Sequence, residues 1–380
     1  MAKGRHVGEH ILVTGGAGFV GSHLVDALIG RGHRVRIFDS LESQVHGPER
    51  HVPAYLNPAA DLVCGSVTDA GAVAQVLEGI DVVFHHAALV GVGQSMYDIA
   101  HYCHVNTVGA GILLEEIVKR RSRIRKVVVA SSMSVYGEGA YRMRSGETRA
   151  PRLRARDLLE RGEWEMRDAA TSEPLAPIAT PETKPLQPTS VYAITKRDHE
   201  ELFLTVGHAY RIPTVALRYF NIYGERQALS NPYTGVAAIF SSRVLNGQSP
   251  MIFEDGEQSR DFVHVSDVVQ ANLLALETDR ADYEALNVGT GQPTTIRQVA
   301  DTIIDALGRA DVTPCVLGTF REGDIRHCYA DITLARQLLG YEPRVPFAQG
   351  MRQLVTWVRD QHPTDLFDRA HQELVARGLA

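Results

Sequence analysis

The stretch His10-Ile11-Leu12-Val13-Thr14-Gly15-Gly16-Ala17-Gly18-Phe19-Val20-Gly21-Ser22 decides the fold. An apolar run ends in a cluster of glycines, and helical periodicity from Gly21 to Ile29 follows at once. The glycines at 15, 18 and 21 have the spacing G-x-x-G-x-x-G. The first permits a tight turn, the second lets backbone approach a pyrophosphate, and the third lets helix pack closely on strand. The N–H groups at the helix start then face phosphate charge. Asp39 closes the next apolar run, Arg34-Val35-Arg36-Ile37-Phe38, where a carboxylate accepts hydrogen bonds from an adenosine ribose and repels a 2′-phosphate. A glycine turn, or an Asp capping a turn, needs no ligand on its own. Strand, loop, helix and acid in this order point to a dinucleotide, and to NAD rather than NADP.

Further apolar runs extend the pattern: Val82-Val83-Phe84, Lys126-Val127-Val128-Val129-Ala130 and Val215-Ala216-Leu217-Arg218-Tyr219. Helical periodicity lies between them at Asn106 to Lys119 and Ser190 to His208. Continuous apolar strands separated by helices predict a parallel sheet covered on both faces, a doubly wound α/β domain. After Gly224, helical stretches at Gly235 to Asn246, Val268 to Leu276, Thr295 to Leu307 and Phe347 to Asp360 predict a smaller mixed α/β lobe. The expected division is a cofactor domain over 9–224 and a mainly substrate-binding lobe over 225–361. Residues 140–185 carry Pro151, Pro174, Pro177, Pro181 and Pro185 and read as a surface insertion, functional or mobile, with a charged helical piece from Arg152 to Arg167. Its arginines Arg142, Arg144, Arg149, Arg152, Arg154 and Arg156 read as a solvated face.

Composition narrows the function classes. The 380 residues are 44% hydrophobic and 22% charged, which excludes disordered, collagen-like and coiled-coil chains. A net charge of -6 argues against a nucleic-acid binder, which needs a basic excess. Cys64, Cys103, Cys315 and Cys328 show neither CxxC spacing nor a metal-ligand pattern, so no metal is expected. Met1 to His10 lacks an apolar signal-like run and no stretch reaches membrane-spanning length, so the expectation is a cytoplasmic protein without a membrane partner.

Tyr192-Ala193-Ile194-Thr195-Lys196 sets a phenol and an ammonium one helical turn apart on one face. A phenol ionises at about pH 10 in water, and a nearby positive charge favours the phenolate, so Tyr192 is a candidate base. Such pairs also occur on ordinary amphipathic surfaces. The strand 126–130 delivers Ser131-Ser132 at its carboxyl end, where ligand sites of α/β sheets lie, and this joins the pair to the glycine loop.

Thr14 to Ser22, Ser131-Ser132-Met133-Ser134-Val135-Tyr136-Gly137, Ser190 to Lys196, Leu217-Arg218-Tyr219-Phe220-Asn221-Ile222-Tyr223-Gly224 and Arg260-Asp261-Phe262-Val263-His264-Val265 together resemble the extended short-chain dehydrogenase/reductase family, in its nucleotide-sugar epimerases and dehydratases. The resemblance runs from about residue 9 to 360, apart from the insertion, and its texture is most similar to the dTDP-L-rhamnose and UDP-hexose 4-epimerase branches. It implies a Rossmann sheet, bound NAD, a UDP- or dTDP-hexose substrate, and a homodimer through the helices near Asn106 and Tyr192. The catalytic trio it implies is Ser132, Tyr192 and Lys196. The implied cofactor site comprises Gly15, Ala17, Gly18, Phe19, Val20, Asp39, Ser40, Ser66, Val67, Ala87, Ala88, Val90, Asn106, Tyr192, Lys196 and Tyr219. The implied substrate site comprises Ser132, Met133, Ser134, Asn221, Phe253, Arg260, Arg321, Asp324 and Cys328, with Arg260 and Arg321 on the diphosphate and Phe253 beside the base.

Departures from the family pattern narrow the chemistry. Its 4,6-dehydratases carry an Asp-Glu pair where Met133 and Ser134 stand, and its UDP-glucuronate decarboxylases keep the Glu. Without a carboxyl pair there is no evident acid and base for removing a hydroxyl, which leaves oxidation at C4 and epimerisation; the alternatives are another 4-keto-forming nucleotide-sugar enzyme (dehydratase, decarboxylase or reductase) and an NAD-sensing binding protein on the same fold. Val90 stands where galactose-type epimerases usually have Lys, and Ser66 where family members often have Asp, which puts an adenine contact there in doubt. In Arg321-Glu322-Gly323-Asp324-Ile325-Arg326-His327-Cys328, Cys328 resembles the family's gate beside the sugar's C2 substituent, or else is a buried apolar filler.

Overall fold

Seven parallel strands form the central sheet: β1 (His10–Thr14), β2 (Arg34–Asp39), β3 (Asp61–Cys64), β4 (Val82–His85), β5 (Lys126–Ser132), β6 (Thr214–Tyr219) and β7 (Ala285–Val288). They lie in the order β7-β6-β5-β4-β1-β2-β3. This is a computed structural model that describes residues 8–379; residues 1–7, part of the amino-terminal segment read above, lie outside the described residues. Strand side chains alternate between two cores. Ile11, Val13 and Val128 pack on one face, and Leu12, Val127 and Val129 on the other. Burial on both faces is why these strands read as unbroken apolar runs. The order reverses between β1 and β4, which opens a crevice at their carboxyl ends.

Two strands escaped the sequence reading. β3 is a short, partly exposed edge strand, Asp-Leu-Val-Cys. β7 carries Asn287 at its centre, whose amide accepts from the Tyr136 hydroxyl at 2.7 Å and donates to the carbonyls of Thr180 and Asp331 at 2.9 and 3.0 Å. Such full pairing is what lets a polar group sit in a buried strand.

The second lobe combines the strands Asn221–Tyr223, Ser259–His264, Pro293–Thr295 and His327–Cys328 with the helices Val236–Leu245, Ile296–Leu307 and Phe347–Arg359. Tyr223, Phe240, Phe262, Ile303, Met351 and Leu354 form its core. It is not one stretch from 225 to 361, however. The helix Val265–Glu277 packs on the glycine-loop helix Phe19–Gly30, and β7 then closes the main sheet.

The insertion is more ordered than its prolines suggest. Ala140–Arg142, Thr148–Arg149 and Ala176–Ile178 form an antiparallel sheet over Tyr141, Met166 and Leu175, and its helix is confined to Arg156–Glu160. Arg154 corrects the solvated reading of its arginines: its side chain is 2% exposed and donates to both Glu254 oxygens at 2.8 and 2.7 Å. It also donates to the Asp324 carbonyl at 3.1 Å, which ties the insertion to the second lobe. Among the described residues no helix is long and apolar enough to cross a membrane.

Candidate active site

The glycine loop has the geometry its spacing foretold. Gly15 sits at φ 70°, and a Cβ there would lie 2.7 Å from the Ala87 nitrogen. A Cβ on Gly21 would lie 2.2 Å from the Gly15 carbonyl oxygen, so neither position admits a side chain. Gly18 precedes the helix, leaving the first N–H groups facing a cavity of about 660 Å³. Asp39 lies at the end of β2, where its two oxygens accept from Ala17 N at 3.0 Å and Leu41 N at 2.9 Å. The carboxylate is thus held in place while still lining the cavity beside Ser40, Ser66 and Val67. A tight glycine turn whose first and last positions admit no side chain, with a fixed carboxylate at the far end of the crevice, fits NAD.

At the other end of the crevice the helix Val191–Tyr210 begins, capped by the Ser190 hydroxyl, which accepts from Ala193 N at 3.1 Å. The cap places Tyr192 in the first turn and Lys196 one turn on, both buried and both lining the cavity. Burial pushes the Tyr192 phenol up, and the nearby Ser132 side chain partly offsets this. Lys196 Nζ donates to the Ala130 carbonyl at 2.9 Å, and burial alone pushes its pKa down to about 7. Ser132 caps a short turn, its oxygen accepting from Ser134 N at 3.2 Å and from the Ser134 hydroxyl at 2.9 Å. Behind it, Ser131 donates to Glu200 at 2.7 Å, Arg218 donates to Glu200 at 2.9 Å, and Arg218 donates to the Tyr136 hydroxyl at 2.7 Å. This buried network rigidifies the strand end that presents Ser132.

The second lobe supplies the opposite wall, with Asn221, Phe253, Arg260, Arg321 and Asp324. Asn221 Oδ1 is buried without a hydrogen-bond partner, so it leaves a polar group for a ligand to satisfy. Arg260 donates to the carbonyls of Ser259, Arg326 and Ile325 at 2.8, 3.0 and 2.7 Å, which orients the guanidinium while leaving its charge uncancelled. Arg321 donates to Asp324 at 2.8 Å and lies 4.6 Å over the Phe253 ring.

Phe19, Val20, Ala87, Ala88, Val90, Met133, Ser134 and Tyr219 also line the cavity. Three expected residues do not. Ala17 is buried beneath the loop, acting through its N–H on Asp39. Asn106 is fully buried, accepting from Leu89 N at 2.8 Å and donating to the Thr195 hydroxyl at 3.0 Å; it fixes the 86–90 loop to the helix Val191–Tyr210. Cys328 is 1% exposed, with its sulfur 3.8 Å from the Thr180 hydroxyl. Its side chain belongs to the main hydrophobic core, whereas Ile325 lines the cavity. The filler reading of Cys328 therefore stands and the gate reading does not.

Other lining residues went unread. His86 packs beside Tyr219, and burial pushes its pKa down to about 4. Gln227, Asn231 and Tyr233 come from the segment that follows Gly224. Phe367, Ala370, His371 and Leu374 come from a carboxy-terminal helix, Phe367–Ala376, that lies beyond the stretch of resemblance. A 3.6-residue apolar period there was the available signal.

The model of the NAD dependent epimerase/dehydratase family matches residues 11–156 and 169–289. The gap between the two matches falls inside the insertion. The chain is 35% identical over 356 residues to dTDP-L-rhamnose 4-epimerase of Burkholderia thailandensis, covering 93% of this chain and 96% of that protein. UDP-glucose 4-epimerase of Thermotoga maritima, solved with UDP-glucose, superposes with a TM-score of 0.75 at 33% identity, covering 92% of this chain and 98% of that one. UDP-N-acetylglucosamine 4-epimerase of Methanobrevibacter ruminantium, solved with UDP-N-acetylmuramic acid, also gives 0.75, at 31% identity, covering 94% of this chain and 100% of that one.

Proposed function

The chain belongs to the NAD dependent epimerase/dehydratase family, and from that premise we propose that it inverts C4 of a nucleotide-diphosphate hexose through a transient 4-keto sugar. One observation carries epimerisation over the family's dehydrations. The carboxylates lining the cavity are Asp39, Glu42, Glu254 and Asp324. Asp39 and Glu42 hold backbone N–H groups, Glu254 is paired with Arg154, and Asp324 with Arg321. Beside Ser132 stand Met133 and Ser134, which cannot exchange protons as a carboxyl does.

NAD bound in the glycine cradle supplies a hydride acceptor that is regenerated within each cycle. Tyr192 takes the proton from the 4-hydroxyl at its phenol oxygen and returns it after the keto sugar has turned about its diphosphate linkage. Lys196, one turn away, makes the phenolate accessible by its charge. Ser132 hydrogen-bonds the reacting oxygen and holds it against Tyr192. Asn221, Arg260 and Arg321 hold the diphosphate while the sugar turns, with the Arg321 guanidinium leaving Asp324 for the phosphate oxygens.

Incubation with UDP- and dTDP-hexoses, with C4 stereochemistry read by NMR, tests this. Interconversion of C4 epimers that is lost by about 100- to 10,000-fold in Tyr192→Phe, with bound NAD retained, is the expected result. A 4-keto-6-deoxy product refutes it. The homodimer expected from the resemblance fits the exposed Ile99, Val108 and Ile194 on this side of the molecule, and sedimentation tests it.

A further inference from the structure

The carboxy-terminal helix Phe367–Ala376 presents Phe367, Ala370, His371 and Leu374 to the cavity, the i, i+3, i+4, i+7 pattern of a single face. Its other contacts latch it across both lobes. The Glu373 carboxylate accepts from Tyr97 at 3.1 Å and from Tyr233 at 3.0 Å. Arg243 donates to Asp365 and Asp368 at 3.1 and 3.0 Å and lies 4.8 Å over the Phe367 ring. Arg377 lies 4.2 Å over the Tyr97 ring. The helix is thus a built wall of the cavity.

Its centre is His371. The imidazole meets Phe253 edge to face at 5.7 Å and stacks on Phe367 at 6.0 Å, with an interplanar angle of 14°. Its Nδ1 is buried without a hydrogen-bond partner. On the same Phe253 ring lies the Arg321 guanidinium. Aromatic faces, an unsatisfied ring nitrogen and an adjacent cation are what a nucleoside joined to a diphosphate requires. A neutral imidazole both donates and accepts, matching a pyrimidine's carbonyls and N–H or a ribose hydroxyl. We infer that His371 is a nucleoside-recognition residue and that the helix bearing it closes the substrate compartment over the nucleotide. This rests on the reading of the substrate as a nucleotide-diphosphate sugar.

Calorimetric titration of the NAD-loaded protein with UDP, dTDP and inorganic pyrophosphate tests it. His371→Ala should weaken the nucleotide that binds the wild type by about tenfold, the scale of one well-made hydrogen bond with its ring contact. Pyrophosphate affinity and NAD content should stay unchanged, because neither ligand offers a nucleoside to this wall. His371→Phe, which keeps the ring packing on Phe253 and Phe367, should show the same nucleotide-selective loss. Wild-type nucleotide affinity in either variant overturns the inference, as does a parallel fall in pyrophosphate affinity, which marks a wall support without recognition. A wild type that binds neither UDP nor dTDP overturns the nucleotide-sugar reading itself and this inference with it.

Discussion

Replacing Lys196 with methionine removes an ammonium that is 4% exposed and donates to one backbone carbonyl, that of Ala130. Burial moves its pKa from 10.5 down to about 7. One pKa unit is about 1.4 kcal/mol, so a displacement of this size is worth at most about 5 kcal/mol. Below pH 7 the lysine is protonated both folded and unfolded, and the folded state bears the whole penalty. Between 7 and 10.5 the unfolded chain holds a proton that the folded chain has released, so stability rises with pH. Above that window both forms are neutral and the penalty is gone. Methionine has a similar length and does not titrate. NAD-free Lys196→Met should therefore be more stable than wild type at neutral pH, by about 1–5 kcal/mol once water in the cavity relieves part of the penalty, and the gap should close towards about pH 10. Urea unfolding of both proteins at about pH 6.5, 8 and 9.5 measures it. The same variant should lose turnover by at least about 100-fold, because the phenolate has lost its counter-charge. A variant less stable than wild type, or a gap that ignores pH, refutes the reasoning. The fold, on this argument, keeps Lys196 at a thermodynamic cost, as expected for a group placed for chemistry.

Three further outcomes follow from the geometry. Asp39→Ala should lower NAD content and remove the discrimination against NADP, as measured by titration of both dinucleotides; unchanged selectivity would falsify the role of the carboxylate. Arg218→Met leaves Glu200 buried without its cation and should cost about 3–5 kcal/mol in thermal or urea unfolding, whereas adding Glu200→Leu should recover more than half. If the double variant is no better than the single one, the pair is not the source of the loss. Cys328→Tyr should overpack the core and destabilise by about 1–3 kcal/mol, lowering activity on N-acetylated and unsubstituted sugars alike; loss confined to the N-acetylated sugar would restore the gate.

Local patterns were enough for the cofactor half of the molecule. The glycine spacing, the acid at Asp39 and the Tyr192–Lys196 turn are short-range signals, because a loop and one helix carry each of them. That these residues would share one crevice could be expected from their order before any packing was known, and they line one cavity. The five strands foreseen carry apolar runs that are mostly buried, whereas β3 is short and largely exposed and β7 is a four-residue strand interrupted by Asn287. The remaining features depend on which distant groups meet. Arg154 looked like one of many surface arginines until Glu254, 100 residues away, received it. Cys328 stood at the right count from Arg321, but its thiol packs into the core among residues far from it in sequence. The helix Phe367–Ala376 became part of the site because Tyr97 and Tyr233, from two separate lobes, converge on Glu373. A sequence pattern records the chemistry a segment carries along itself, whereas long-range partners are chosen by the summed burial and pairing of the whole chain, which no local window contains.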